Sequence, residues 1–194
     1  GPAQGWQPRL TVDPAARTRV QARLAGRGVA PASAIVLVPG AVFGPAKRWQ
    51  GFAALGRLLP PDAPLLIVGA AAERALAAEL ASALAGRQVL VLCGELDLGE
   101  LAALLALARC TVSNDTGPMH LAAAVGGRVL GLFLSTSPEW TAPRGPRARW
   151  LAAEVPCRPC FARECPLPAQ VCGEAIGPGA VQVAIADWLA PEAA

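Results

Sequence analysis

Short, continuous apolar runs alternate with segments of helical length along most of this chain, and that alternation leaves few folds open to it. The runs at 35–38, 65–68, 89–92 and 129–134 carry no polar side chain and 110–112 carries only Thr111, instead of alternating apolar with polar, as in strands covered on both faces. Between them, 47–59, 71–84, 98–108 and 118–125 read as helices, the first carrying Trp49, Phe52, Leu55 and Leu59 at helical spacing. Pro60 and Pro61 stop that helix, and Gly126 and Gly127 close the last. A further helix over 13–25 precedes the first run and ends at Gly26 to Gly28. Strands joined by helices need right-handed crossovers, so the expectation is an α/β, Rossmann-like parallel sheet with helices on both faces. The turns after the strands, at Gly40, Gly69, Asp115 and Ser135, then gather along one sheet edge, where such folds bind ligands. With 194 residues the chain can bury one good core. A single domain over 1–194 is expected, with a Cys- and Pro-rich segment at about 155–173 and a closing helix over 180–189.

Two of these turns carry chemistry. The one after 110–112 reads Ser113-Asn114-Asp115-Thr116-Gly117-Pro118-Met119-His120. Pro118 suits the first helical position, and the amides of Met119 and His120 then point out of the helix end, which attracts anions. Many such turns only cap a helix. The turn after 35–38 has glycines at 40 and 44, which let backbone approach a ligand closely, followed by Lys47 and Arg48 at a helix start. The helix macrodipole disfavours positive charge there, and an anionic ligand would explain the placement. The alternative is a solvated surface pair.

Four stretches, PGAVFGPAKRW, VSNDTGPMHLAAAVG, LFLSTSPEWTAP and CRPCFAREC, resemble in this order the bacterial heptosyltransferases of glycosyltransferase family nine, in particular the lipopolysaccharide heptosyltransferase II group. The resemblance runs from about 35 to 172 and corresponds to the carboxy-terminal half of such an enzyme. It implies the donor-binding half of a two-domain, inverting GT-B transferase that moves heptose from ADP-heptose to the lipopolysaccharide inner core. It also implies that the base and most of the acceptor site lie in the amino-terminal half, so that this half alone does not complete the transfer. Lys47 is implied to contact the donor phosphates, where an ammonium stabilises charge on the departing diphosphate without a required metal or other cofactor.

Asp115, Thr116 and Gly117 match the family's donor-site motif. A diphosphate would repel a carboxylate, so Asp115 goes to sugar hydroxyls or to ordering its own loop, and the phosphates go to backbone amides and the Thr116 hydroxyl. His120, the chain's one histidine, is implied to touch the donor; without the motif it would read as a hydrogen-bonded structural residue. Met119 reads as core. Glu73 stands where the family has a carboxylate on the nucleotide ribose, although a Glu in a first helical turn also complements the dipole without a ligand. Leu96 falls where the family packs an apolar side chain on adenine. Two other readings use the same residues: a non-catalytic nucleotide- or sugar-binding module, and a related transferase using another nucleotide sugar.

Cys157, Cys160, Cys165 and Cys172 form a C-x2-C-x4-C-x6-C cluster. Four thiolates could hold a structural zinc, but the usual zinc pattern has two close pairs and this has one, so free thiols or a disulfide are favoured over the metal. The segment lacks the histidine that relatives often carry between the last two cysteines. It is expected to be structural and to lie beyond the units that build the donor site. Cys93 and Cys110, beside strands, read as small buried apolar residues. A net charge of +3 is too small to argue for nucleic acid. Arg144, Arg147, Arg149, Arg158 and Arg163 cluster in sequence, as a solvated basic face or as a contact for an anionic ligand, an acidic partner or a membrane surface. With no bilayer-length apolar stretch and no signal pattern, the expected location is cytoplasmic, with peripheral contact at the inner membrane open.

Overall fold

The computed structural model describes residues 7–190. Asp13 caps the first helix, α1 (Pro14–Ala25), by accepting hydrogen bonds from the Ala15 and Ala16 amides, and Pro14 fills its first position. A strand β1 (Ile35–Val38), a 3-10 turn (Pro45–Lys47) and α2 (Phe52–Leu58) follow. Next come β2 (Leu65–Ile67), a 3-10 turn (Ala71–Glu73) running into α3 (Arg74–Ala83), β3 (Val89–Val91) and α4 (Leu98–Leu107). The chain continues through β4 (Cys110–Asn114), α5 (Gly117–Ala124), β5 (Val129–Phe133), α6 (Pro138–Thr141) and β6 (Ala148–Ala152). It ends in α7 (Val171–Ala175), α8 (Pro178–Ala184) and α9 (Ala186–Leu189).

All neighbouring strands are parallel, in the order β3-β2-β1-β4-β5-β6, with Leu37 opposite both Ile67 and Val112. The chain runs outward from β1 to β3, then returns to start β4 and runs outward the other way. The order therefore reverses between β1 and β4, which opens a crevice at their carboxyl ends. Because alternate strand residues point to opposite faces, the continuous apolar runs fill two layers at once. Ile35, Leu37, Leu65, Ile67 and Val112 pack under α2, α3, α8 and α9, while Val36, Val38, Leu66 and Phe133 pack under α1, α4 and α5. Each fully buried Leu or Ile here contributes about 1.5–3 kcal/mol of transfer free energy.

The structure departs from the sequence expectation in three places. The strand β6 was read only as part of an arginine-rich stretch; it is an edge strand, and its half-exposed charged and aromatic residues gave no buried-run signal. The closing helix over 180–189 is two short helices broken at Ile185. The helix expected over 47–59 starts only at Phe52, for a reason that belongs to the site.

Candidate functional site

Asn114, at the end of β4, is fully buried and joins the two sides of the crevice. Its side-chain oxygen accepts the Trp49 N–H at 3.1 Å, and its amide nitrogen donates to the Pro39 carbonyl at 2.7 Å. The Trp49 amide is thereby committed to a side chain across the sheet, and the backbone at Arg48 runs extended. Lys47 consequently ends a 3-10 turn and does not open an α-helix as the sequence suggested.

The positive charge on Lys47 is balanced by a carboxylate. Lys47 Nζ lies 2.7 Å from Asp115 Oδ2, and the Thr136 hydroxyl, from the turn after β5, donates to the same oxygen at 2.7 Å. The Lys47 side chain is 13% exposed and that of Asp115 4%. Asp115 thus joins its own loop to those that carry Lys47 and Thr136. His120 Nε2 stands 4.0 Å from the other carboxylate oxygen, with its side chain about half exposed. Burial lowers the His120 pKa from its ordinary 6.5; the Asp115 charge opposes that shift and the Lys47 charge adds to it. At neutral pH the imidazole is therefore neutral and can both donate and accept a hydrogen bond.

Thr116 sits at the N-cap of α5 with extended backbone and makes no capping bond with its side chain, which leaves the hydroxyl free for another partner. The helix starts at Gly117, one residue earlier than expected, and the Met119 amide donates to the Thr116 carbonyl at 3.1 Å. The expectation that the Met119 amide points at a ligand is therefore corrected. Helix geometry turns the Gly117 amide out past the end instead. Met119 itself is wholly buried, as expected.

Glu73 ends the 3-10 turn after β2 and accepts the Ala70 N–H at 2.8 Å. Its carboxylate fills the space above Gly40, where any side-chain carbon would collide with it, so it reaches from the β2 edge to the β1 edge. Leu96 follows β3, is half-buried and packs on the core layer that contains Leu92. Lys47, Asp115 and His120 thus meet, with Thr116 and Gly117 continuing directly from Asp115; Glu73 follows the next strand, and Leu96 the one beyond it. Asn114 and Thr136 are site residues that the sequence reading did not single out. Both lie inside the quoted stretches VSNDTGPMH and LFLSTSPEW, which was the available signal.

The cysteine-rich segment does not lie apart from these loops. The Arg163 carbonyl accepts the Ala46 N–H at 3.0 Å, Arg163 Nε donates to the Phe43 carbonyl at 2.8 Å, and Gln170 Nε2 donates to the Ala46 carbonyl at 2.8 Å. Gly44, at φ 154°, lies against the Arg163 backbone, leaving no room for a side chain. The segment is therefore strapped over the loop that carries Lys47, a correction to the expected separation. Burial pushes the Cys93 thiol up to about 11, with Glu73 adding to the shift, and the Cys110 thiol up to about 12. Among the described residues no group of three or more His, Cys, Asp or Glu is placed to hold a metal ion.

Several of the clustered arginines are held by the protein itself. Arg149 pairs with Asp187 through two 2.7 Å contacts and stacks on Trp188, Arg147 donates to the Gly126 carbonyl, and Arg158 donates to the Ala153 carbonyl. Among the described residues no helix is long and apolar enough to cross a membrane.

The model of glycosyltransferase family 9 (heptosyltransferase) matches residues 2–170. Lipooligosaccharide heptosyltransferase 2 of Campylobacter jejuni is 32% identical over 148 residues, covering 73% of this chain and 46% of the relative. Its namesake from Haemophilus influenzae is 35% identical over 152 residues, covering 73% and 43%. The chain thus spans less than half the length of these curated relatives. Among solved structures, the ADP-heptose LPS heptosyltransferase II of Escherichia coli superposes with a TM-score of 0.78 at 25% identity, over 97% of this chain and 55% of that one.

Proposed function

Because this chain belongs to glycosyltransferase family 9, we propose that it is the donor-binding, carboxy-terminal half of a two-domain GT-B heptosyltransferase that transfers heptose from ADP-heptose to a lipopolysaccharide core acceptor. The observation that carries the reading is the meeting of Lys47, Asp115 and the start of α5 at the point where the strand order reverses between β1 and β4.

In this reading the donor diphosphate replaces the Asp115 carboxylate as the partner of Lys47, and the Gly117 amide and Thr116 hydroxyl complete its cradle. As the bond from the anomeric carbon to the phosphate oxygen breaks, negative charge grows on the departing ADP. The Lys47 ammonium, held in place by the strapped loop, stabilises it. Asp115, released from Lys47 but still held by Thr136, accepts hydrogen bonds from heptose hydroxyls, with neutral His120 beside it. Glu73 takes the ribose hydroxyls and Leu96 packs on the adenine. The acceptor hydroxyl, deprotonated by a base of the amino-terminal half, attacks from the face opposite the leaving ADP and inverts the anomeric centre. The proposal takes the enzyme to be cytoplasmic and peripheral to the inner membrane, where it meets a lipid-borne acceptor.

The test compares this chain with the protein extended by the preceding half of its relatives. The chain alone should bind ADP and ADP-heptose without transfer, and the extended protein should release ADP when a core acceptor is added. An extended protein that binds the donor and never transfers would identify a binding module instead. Tighter binding of UDP or GDP than of ADP would identify a transferase for another nucleotide sugar.

A further inference from the structure

Phe43, in the loop after β1, is 40% exposed and its ring faces two cations. Lys47 Nζ lies 5.5 Å from the ring centroid and Arg163 Cζ 5.3 Å from it, so the ring holds an ammonium and a guanidinium beside one another. The two cations differ in how they are balanced. Lys47 is paired with Asp115 and mostly buried with it, whereas Arg163 is exposed and has no carboxylate partner among the described residues. Arg163 is nonetheless held in place. Its Nε donates to the Phe43 carbonyl at 2.8 Å and its own carbonyl accepts the Ala46 N–H at 3.0 Å, while its terminal nitrogens have no acceptor among the described residues.

Resting on the donor-site reading above, we propose that Arg163 is a second phosphate-binding cation, which reaches from the cysteine-rich strap to the same diphosphate that Lys47 binds. Charge balance calls for such a group. In the free protein Lys47 and Asp115 cancel, neutral His120 adds nothing, and the Glu73 carboxylate leaves the site negative. A nucleoside diphosphate sugar brings two further negative charges, and the departing nucleoside diphosphate holds one more. Lys47 cannot offset these while Asp115 stays beside it. Arg48, next in sequence, is turned elsewhere: it lines a separate cavity between α2 and α3 with Phe52, Leu76 and Glu79. Arg149 and Arg158 are held by Asp187 and by the Ala153 carbonyl. The planar fork of Arg163 can engage two phosphate oxygens at once, where Lys47 supplies a point charge. Because Phe43 positions the guanidinium before any ligand arrives, little ordering is left to the binding step. As the bond from the anomeric carbon to the phosphate oxygen breaks, its electron pair passes to that oxygen, and the growing charge falls between the two cations. The close approach of Gly44 to the Arg163 backbone is then part of the site, since it lets the strap bring this side chain up to the Lys47 loop.

The experiment measures ADP affinity by calorimetry for the full chain, for Lys47→Ala, for Arg163→Gln and for the double variant. Arg163→Gln removes the charge while its amide can still donate to the Phe43 carbonyl. It should weaken ADP binding about tenfold, and weaken it again in the Lys47→Ala background. Arg163→Lys, which keeps the charge without the fork, should fall between the two. A strap that only positions the Lys47 loop would act through Lys47 and would give no further loss once Lys47 is gone. On the unaltered protein, ADP and inorganic pyrophosphate should each slow phenylglyoxal modification of Arg163 severalfold, while exposed Arg17 on α1 reacts as before, as peptide mass spectrometry can follow. This second readout does not depend on a variant that folds. Unchanged ADP affinity in folded Arg163→Gln, no further loss in the Lys47→Ala background, or no protection of Arg163 would each overturn its assignment; if ADP still binds and depends on Lys47, the donor-site reading stands without it. A chain that binds no ADP at all would overturn both.

Discussion

Replacing Asp115 by Asn removes the counter-charge of Lys47 while keeping side-chain shape and, through the amide oxygen, the acceptor for the Thr136 hydroxyl. Nζ and Oδ2 are 2.7 Å apart, so with an effective dielectric constant of about 20 their direct attraction is on the order of 6 kcal/mol. Withdrawing both groups from water offsets several kcal/mol of that, more for Asp115 at 4% exposure than for Lys47 at 13%. Breaking a fully buried pair from one side costs about 3–5 kcal/mol. Here the water reaching Lys47 and the retained Thr136 bond bring the expected loss of stability to about 2–3 kcal/mol. Urea unfolding followed by tryptophan fluorescence should show a lower midpoint at unchanged slope. Lys47→Met should cost at least as much, because it leaves the deeper charge alone. The double variant should cost less than the two single losses together, with a coupling of about 1–3 kcal/mol. The Asn variant should also bind ADP more tightly, because ADP no longer competes with a carboxylate for Lys47. A loss under about 0.5 kcal/mol, or strict additivity, would refute the reasoning that this pair is buried and coupled.

Asn114→Ala leaves the buried Trp49 amide and Pro39 carbonyl without their partner and should cost about 2–4 kcal/mol in the same unfolding assay, with Trp49 fluorescence altered in the folded state. NMR titration of the single histidine should place its pKa below the ordinary 6.5; Lys47→Met should raise it and Asp115→Asn should lower it further. Because the unfolded chain takes up that proton first, this group makes stability fall as pH drops through 6.5 and level off below the folded pKa; a midpoint above 6.5 would reverse that sign. At mildly alkaline pH, exposed Cys157 and Cys160 should alkylate first, whereas Cys93 and Cys110, with thiols pushed up to about 11 and about 12, should react only on unfolding, as peptide mass spectrometry can follow.

The sheet was legible because strands buried on both faces are mostly apolar, as β1, β2 and β5 are; β4 is buried as well but carries Thr111, Ser113 and Asn114, and was legible through Cys110 and Val112 and the turn that follows them. The edge strand β6 was not, because Arg149 and Trp150 sit half out in solvent and mimic a basic loop. Lys47, Asp115 and His120 could be named from the turns that carry them, and the structure brings them together. What the turns could not convey was who balances whom. Lys47 looked like a charge set against a helix dipole, and only the parallel pairing of β1 with β4 puts a carboxylate beside it. Asn114 and Thr136 stayed hidden for a related reason: each acts on a group distant in sequence, and local pattern carries no record of such a partner. The strap of Arg163 over Phe43 and Ala46 is another long-range contact of this kind.

Calorimetry of ADP binding to this chain, with and without Lys47→Ala, tests the account most directly. A charge-assisted contact to phosphate in the β1/β4 crevice predicts a loss of about 1–3 kcal/mol, from several-fold to more than a hundredfold in affinity, with the fold retained by circular dichroism. Equal affinities in a folded variant would take the diphosphate away from Lys47 and contradict the proposed donor site.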